Sequence, residues 1–210
     1  MKIPAPVILA VVTFVALGAS AQSLQMQNVN YPGIYCRFNA TCQVSPTVQS
    51  GSYTPTNASA TCVLASRTFP GASIDTQGLY GYEYQLTINS SGLATGTNIV
   101  TVNSLALNFG VAPNVFAFGD HASNQVWVVT IGGPAGLAPA SAEMDETNVV
   151  INFDPPLTLD AQTDQTTNTL YFGMLAGGPP EMTKATLKGW VLDPENNKLP
   201  FNAKVDAQTP

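Results

Sequence analysis

From Leu79 to Ile88 the chain alternates: Tyr80, Tyr82, Tyr84, Leu86 and Ile88 interleave with Gly81, Glu83, Gln85 and Thr87. A period of two over that length predicts a strand with its aromatic and aliphatic set on one face. Such a stripe packs into a core more often than it forms a platform for sugar rings, and Glu83 on the opposite face is expected to be solvated. Asn89-Ser90-Ser91-Gly92 supplies a turn. Between Ile99 and Phe109 the apolar positions run Val100, Val102, then Leu105, Leu107, Phe109, a slip of phase near Asn103-Ser104 that predicts a bulge or tight bend.

Further strands are predicted at Ala60 to Arg67, Val115 to Phe118, Val126 to Ile131, Val149 to Phe153, Thr169 to Leu175 and Thr183 to Leu192. Val126-Trp127-Val128-Val129 is apolar on both faces and suits a strand covered on each side. Pro70-Gly71, Gly132-Gly133-Pro134, Asp154-Pro155-Pro156 and Gly177-Gly178-Pro179-Pro180 read as loops. The segment from Gln22 to about Ser59 shows little periodicity and is expected to be loop-rich, with one short strand at Ile34 to Phe38. Ser141 to Thr147 offers one helical turn at most, and Phe201 to Pro210 reads as a polar end.

Many short strands punctuated by Gly and Pro, without strand–helix alternation, predict an all-β fold. The expected form is an antiparallel β-sandwich, immunoglobulin-like or jelly-roll-like, of roughly seven to nine strands, with a small barrel as the alternative. The expected organisation is a signal peptide over 1–21, a loop-rich segment over 22–59 and a sandwich domain over 60–210.

The N-terminal pattern changes the picture of where this domain works. Lys2 precedes an apolar run from Val7 to Leu17, and Ala19-Ser20-Ala21 then stands before Gln22. That order is the plan of a cleaved secretory signal, and the run is shorter than the ~20 residues of a membrane span. A secreted chain, extracellular or periplasmic, without a membrane span once the signal is removed, is the expectation. Loss of Lys2 leaves six cations against 13 anions, a net charge of −7. So acidic a chain, without a basic cluster, is a poor partner for nucleic acid. Only 10% of residues are charged, so the polar surface falls to Asn, Gln, Ser and Thr.

Three cysteines follow the signal, Cys36, Cys42 and Cys62. Export favours one disulfide among them over a metal site, and spacing does not choose the pairing. The odd thiol is expected to be buried, as free cysteines commonly are.

Chemistry-bearing residues are sparse. The single histidine, His121, lies in Gly119-Asp120-His121-Ala122 and reads as an exposed loop residue, because sequence neighbours point apart and no G-x-S-x-G accompanies it. A carboxylate pair for glycoside hydrolysis would have to come from Glu83, Glu143, Asp145, Glu146, Asp154, Asp160 and Asp164. The stretches 143–146 and 160–164 lack a full calcium-loop pattern and read as solvated. Asn39-Ala40-Thr41, Asn57-Ala58-Ser59 and Asn89-Ser90-Ser91 match the glycosylation acceptor pattern, which matters only in a host with that machinery.

Tyr82-Glu83-Tyr84-Gln85-Leu86 followed by Asn89-Ser90-Ser91-Gly92, and Leu170-Tyr171-Phe172-Gly173 followed by Pro179-Pro180 and Ala185-Thr186-Leu187, resemble segments of secreted bacterial surface proteins sorted by exosortases. The resemblance covers about residues 60 to 192 and implies a sandwich domain, with no activity attached. The family's P-E-P, apolar and basic sorting tail has no counterpart here, so surface anchoring is not expected.

The function expected is that of a secreted, non-catalytic sandwich making binding or structural contacts at the cell surface or in the matrix, with a glycan or another surface protein as partner. The alternatives are a polysaccharide-directed hydrolase and a glycan-binding module. No catalytic residue, cofactor or metal ligand is assigned.

Overall fold

The computed structural model describes residues 21–56, 58–73, 75–91, 99–119, 121–193 and 195–210, with the side chains of 121 and 122 left aside. The predicted signal peptide therefore lies outside the described residues apart from its last position. Among the described residues no helix is long and apolar enough to cross a membrane.

In chain order the strands are β1 (Gln22–Ser23), β2 (Met26–Asn30), β3 (Thr47–Tyr53), β4 (Ala60–Pro70), β5 (Leu79–Ser90), β6 (Ile99–Asn108), β7 (Phe116–Phe118), β8 (His121–Asn124), β9 (Val126–Ile131), β10 (Ser141–Asp145), β11 (Asn148–Asp160), β12 (Thr166–Asn168), β13 (Phe172–Gly177), β14 (Glu181–Leu192) and β15 (Lys198–Thr209). A short 3-10 helix spans Tyr35–Arg37. These strands build a six-stranded sheet, β1-β10-β11-β6-β14-β15, and a seven-stranded sheet, β2-β9-β13-β5-β4-β3 with β12 also on β5; β7 and β8 form a separate hairpin. The two large sheets face each other across one apolar core, so the all-β sandwich stands. Pairing is antiparallel except between β2 and β9, which run parallel.

The fold holds more strands than the sequence pattern suggested, and the differences have local causes. Segment 22–59 carries three strands between its loops. β1 joins the six-stranded sheet through β10, while β2 and β3 form the two edges of the other sheet. Leu24, between β1 and β2, drops into the shared core. Ile34 to Phe38 is not a strand: Ile34 and Phe38, 1% and 2% exposed, lie four residues apart, the spacing that puts two side chains on one side of a helical turn. Ser141–Asp145 is a strand whose Ala142 and Met144 face inward, and Lys198–Thr209 is a long strand whose Ala203, Val205 and Ala207 do the same. Asp154-Pro155-Pro156 lies inside β11, where the register against β6 shifts between Asn152 and Leu157. The prolines, which cannot donate to a ladder, occupy that irregularity. The slip anticipated near Asn103 is real: Lys188 pairs with Ser104 and Gly189 with Val102, leaving Asn103 as the extra residue.

One corner of the sandwich is closed by close approach. A Cβ on Gly51 of β3 would stand 2.3 Å from the backbone oxygen of Asp206 in β15. The backbone N–H of Gln208 donates to Ser66 Oγ at 3.1 Å, and its carbonyl accepts from Tyr84 Oη at 2.6 Å. Tyr82, Tyr84, Leu86 and Ile88 are buried in the core, so the tyrosine stripe packs rather than presents itself.

Candidate functional site

The seven-stranded sheet is apolar on both faces. Its outer face carries a second cluster of Val29, Ile34, Phe38, Phe69, Trp127, Val129 and Leu175, with Tyr31, Tyr35, Phe116, Phe118 and Tyr171 packed against it. Residues 31–38 lie over this face as a cap. The ring of Phe38 meets Phe69 at 4.7 Å and Trp127 at 5.6 Å, both edge-on, the arrangement aromatic quadrupoles favour. The loop after β4 holds the cap from the other side: the N–H groups of Ala72 and Ser73 donate to the Phe38 carbonyl, and Thr76 Oγ1 donates to the Arg37 carbonyl at 3.0 Å. Cys36 and Cys42 form a disulfide within the cap region, and Cys62 is the buried free thiol.

Beneath the cap lies the one acid among the buried residues, Glu83, at 0% exposure. The solvated environment expected for it is thus corrected: its face of β5 is not an outside face but the floor under the cap. Sheet register places it in a row. Trp127 of β9 pairs with Gly173 of β13, Gly173 with Glu83 of β5, and Glu83 with Arg67 of β4. The indole fills the space that Gly173 leaves open, and Arg67 flanks the carboxylate on the other side.

Arg67 Nη1 donates to Glu83 Oε1 at 2.8 Å. Tyr31 Oη stands 2.7 Å from both carboxylate oxygens and shares its single proton between them. Tyr35 Oη donates to Oε1 at the longer distance of 3.4 Å. The guanidinium also lies 4.8 Å from the centre of the Tyr171 ring, a cation–π contact. The indole N–H of Trp127 favours the ionised carboxylate as well, although it has no partner in hydrogen-bonding geometry.

Burial pushes the Glu83 carboxyl above its ordinary range, and Arg67, Tyr31, Trp127 and Tyr35 act against that rise. The Arg67 guanidinium retains some contact with water, and although burial lowers its pKa, Glu83 and the neighbouring tyrosines leave it above its ordinary value. Burial and the adjacent carboxylate push the Tyr35 phenol up to about 12 and Tyr31 higher still, so both remain proton donors. In chemical terms Glu83 accepts from a cation and two phenols, and so ties β4 and the cap to β5.

The remaining acids named from sequence do not join it. Glu143 and Asp145 lie on β10, and Asp160 receives the N–H of Gln162 in the turn after β11. Among the described residues no three His, Cys, Asp or Glu side chains gather in a way that could hold a metal ion. His121 begins β8, opposite Phe118, and its side chain lies outside what the structure describes, as does Asp120. Of the acceptor asparagines, Asn39 takes hydrogen bonds from Thr41 and Asn89 from Thr166, while Asn57 falls outside the described residues. The pattern of residues 79–88 did place Glu83 opposite the tyrosine stripe. Its burial was missed because nothing local shows that a distant segment folds over that face. The signal that could have found it is Tyr31 and Tyr35 with Ile34 and Phe38, an aromatic-rich stretch within a polar region.

A cavity of about 230 Å³ opens beside the cap, lined by Arg37, Asp75, Thr76, Phe116 and Leu175 among others. Arg37 and Asp75 face each other there at 3.6 Å. Asp75 is largely hydrated and Arg37 partly so, and at 3.6 Å the pair contributes little to stability. Neither a family model nor a curated protein matches this sequence.

Proposed function

We propose that this chain is a secreted, non-catalytic β-sandwich that makes binding or structural contacts at the cell surface or in the surrounding matrix. The observation that carries the reading is the state of Glu83: the one buried acid is engaged by Arg67 and Tyr31 and serves to fasten the cap. A hydrolase of the two-carboxylate kind would need a second acid facing it across a cleft. The disulfide fits an oxidising compartment, and the N-terminal pattern fits export into one.

A glycan-binding role is the second reading, favoured by Trp190. This half-buried indole belongs to β14, and Lys198 of β15 lies 4.4 Å from its ring centre. An aromatic with a polar neighbour is the usual material of a sugar subsite.

Two experiments test these readings. Peptide sequencing of the chain recovered from the medium of an exporting host should begin at Gln22; uncut protein retained in the cytoplasm would overturn secretion. The recovered chain should then be applied to a glycan array and assayed for release of reducing sugar. Binding lost in Trp190→Ala would move the reading to glycan recognition, turnover would overturn the non-catalytic reading, and silence in both would favour structural contacts.

A further inference from the structure

The six-stranded sheet distributes its charge unevenly, although Glu181 and Asp206 share β14 and β15 with the lysines. Every lysine among the described residues, Lys184, Lys188, Lys198 and Lys204, sits on β14 or β15. Glu143 and Asp145 stand on β10, at the other side of β11 and β6. In a chain of net charge −6 this gathers the lysines on one flank of one sheet. Asp145, Lys188 and Lys204 line the same shallow groove of about 250 Å³, so the two flanks share a surface.

The register makes the division symmetric. One row crosses the sheet through Glu143, Val150, Ala106, Thr186 and Lys204. Ala106 is its midpoint: Glu143 lies two strands to one side and Lys204 two strands to the other. The middle of the row is small or neutral, so nothing bulky prevents a second sheet from approaching to the ~10 Å of face-to-face packing.

We infer that this face is a self-association surface, on which a second copy of the chain packs by a two-fold axis running along β6, so that Glu143 of each copy meets Lys204 of the other. A two-fold along the strand direction exchanges the flanks while keeping each row opposite itself. It brings acid onto base in both halves. A two-fold across the strands would lay acid on acid and base on base, so the charge pattern selects one isologous arrangement. The next row adds nothing to the attraction: Asp145 comes opposite Asp206, an acid whose charge Lys184 offsets at 2.5 Å.

The area suffices. With the axis on β6 five strands of each copy overlap, those from β10 to β15 in sheet order; spaced ~4.8 Å apart they span ~19 Å, and strands of about ten residues run ~33 Å. The product, ~630 Å² per partner, lies at the lower end of standard specific interfaces. Charged groups at its two margins steer the encounter and fix the orientation more than they add affinity, so the association is expected to weaken with salt.

The test is sedimentation velocity of the exported chain over a range of concentrations, at low and high salt, with E143K, K204E, the double variant and an equimolar mixture of the two single variants. The wild type should dimerise, less so at high salt. Each single variant places like charges opposite each other and should weaken self-association by roughly tenfold or more. The double variant exchanges the flanks and should dimerise again, and the mixture should form mixed dimers. That rescue separates the interface from misfolding, since a misfolded variant would not be restored by another. A wild type that remains monomeric throughout, single variants that dimerise unchanged, or a mixture that fails to pair would each overturn the inference.

Discussion

Trp127 lies where a side chain on Gly173 would have to go. A Cβ on Gly173 would stand 2.4 Å from Cζ2 of the indole and 2.6 Å from the carbonyl oxygen of Tyr82. The two residues are register partners on adjacent strands, and Glu83 is the partner of Gly173 on its other side. The missing side chain therefore leaves room for the largest fully buried side chain among the described residues, next to the carboxylate.

Gly173→Ala should accordingly be destabilising despite adding a single methyl group. The neighbours are a packed ring and a backbone oxygen, and neither can give way cheaply; overpacking of this kind costs about 1–3 kcal/mol. Chemical denaturation should show the midpoint falling with an unchanged slope. An unchanged midpoint would mean that the indole can move aside.

Glu83→Gln tests the sign of the buried titration. The Glu83 carboxyl ionises at a raised pH in the folded protein and near the ordinary 4.5 when unfolded. Between those two values the native state binds the extra proton, so stability associated with this group falls as pH rises through the window. Gln cannot titrate. The stability of the wild type minus that of Glu83→Gln should therefore decline as pH climbs from about 4.5, and a difference independent of pH would refute the assignment. The measurement is a set of denaturant melts of both proteins at stepped pH.

How the sequence reads depends on who supplies the covering surface. The inter-sheet core was visible, because Tyr82, Tyr84, Leu86 and Ile88 alternate cleanly and Val126 to Val129 is apolar on both faces. The strand at Lys198–Thr209 alternates too, but its inward residues include Ala203 and Ala207, too small to raise the hydropathy above its polar partners. β3 escaped because an edge strand buries little: of Thr47–Tyr53 only Gly51 is fully buried, and its cue is the close approach of β15. The Glu83 site depends on contacts across 52 and 16 residues of sequence, to Tyr31 and Arg67, which no local period encodes.

Reduction of the Cys36–Cys42 bridge should loosen the cap before the sandwich. The cysteines are six residues apart, a short loop, for which the chain-entropy relation gives a stabilisation of about 2 kcal/mol. The bridge sits beside Arg37 and Phe38, whose carbonyls are bound to the 72–76 loop. A reducing agent should lower the melting temperature of the wild type, while the Cys36→Ser/Cys42→Ser variant should start lower and ignore the agent. A wild type whose melt does not respond to reduction would show that the bridge constrains nothing that matters to folding.

The third cysteine should be silent until the protein unfolds. Cys62 is at 0% exposure in the core, opposite Ile88 on β5 and Tyr53 on β3. Burial pushes its thiol up to about 12, so near neutral pH almost none of it is the reactive thiolate. Because thiol reagents need both thiolate and access, the native chain should give no colour with an aromatic disulfide reagent over the time in which free cysteine reacts fully. Adding denaturant without reductant should then release one equivalent, since the other two cysteines are bridged. The rate of labelling at intermediate denaturant should follow the unfolding equilibrium, because only the opened chain exposes the thiol. Rapid labelling in the absence of denaturant would mean that β3 detaches from β4 on its own, and would place the weakest point of the sandwich at that edge.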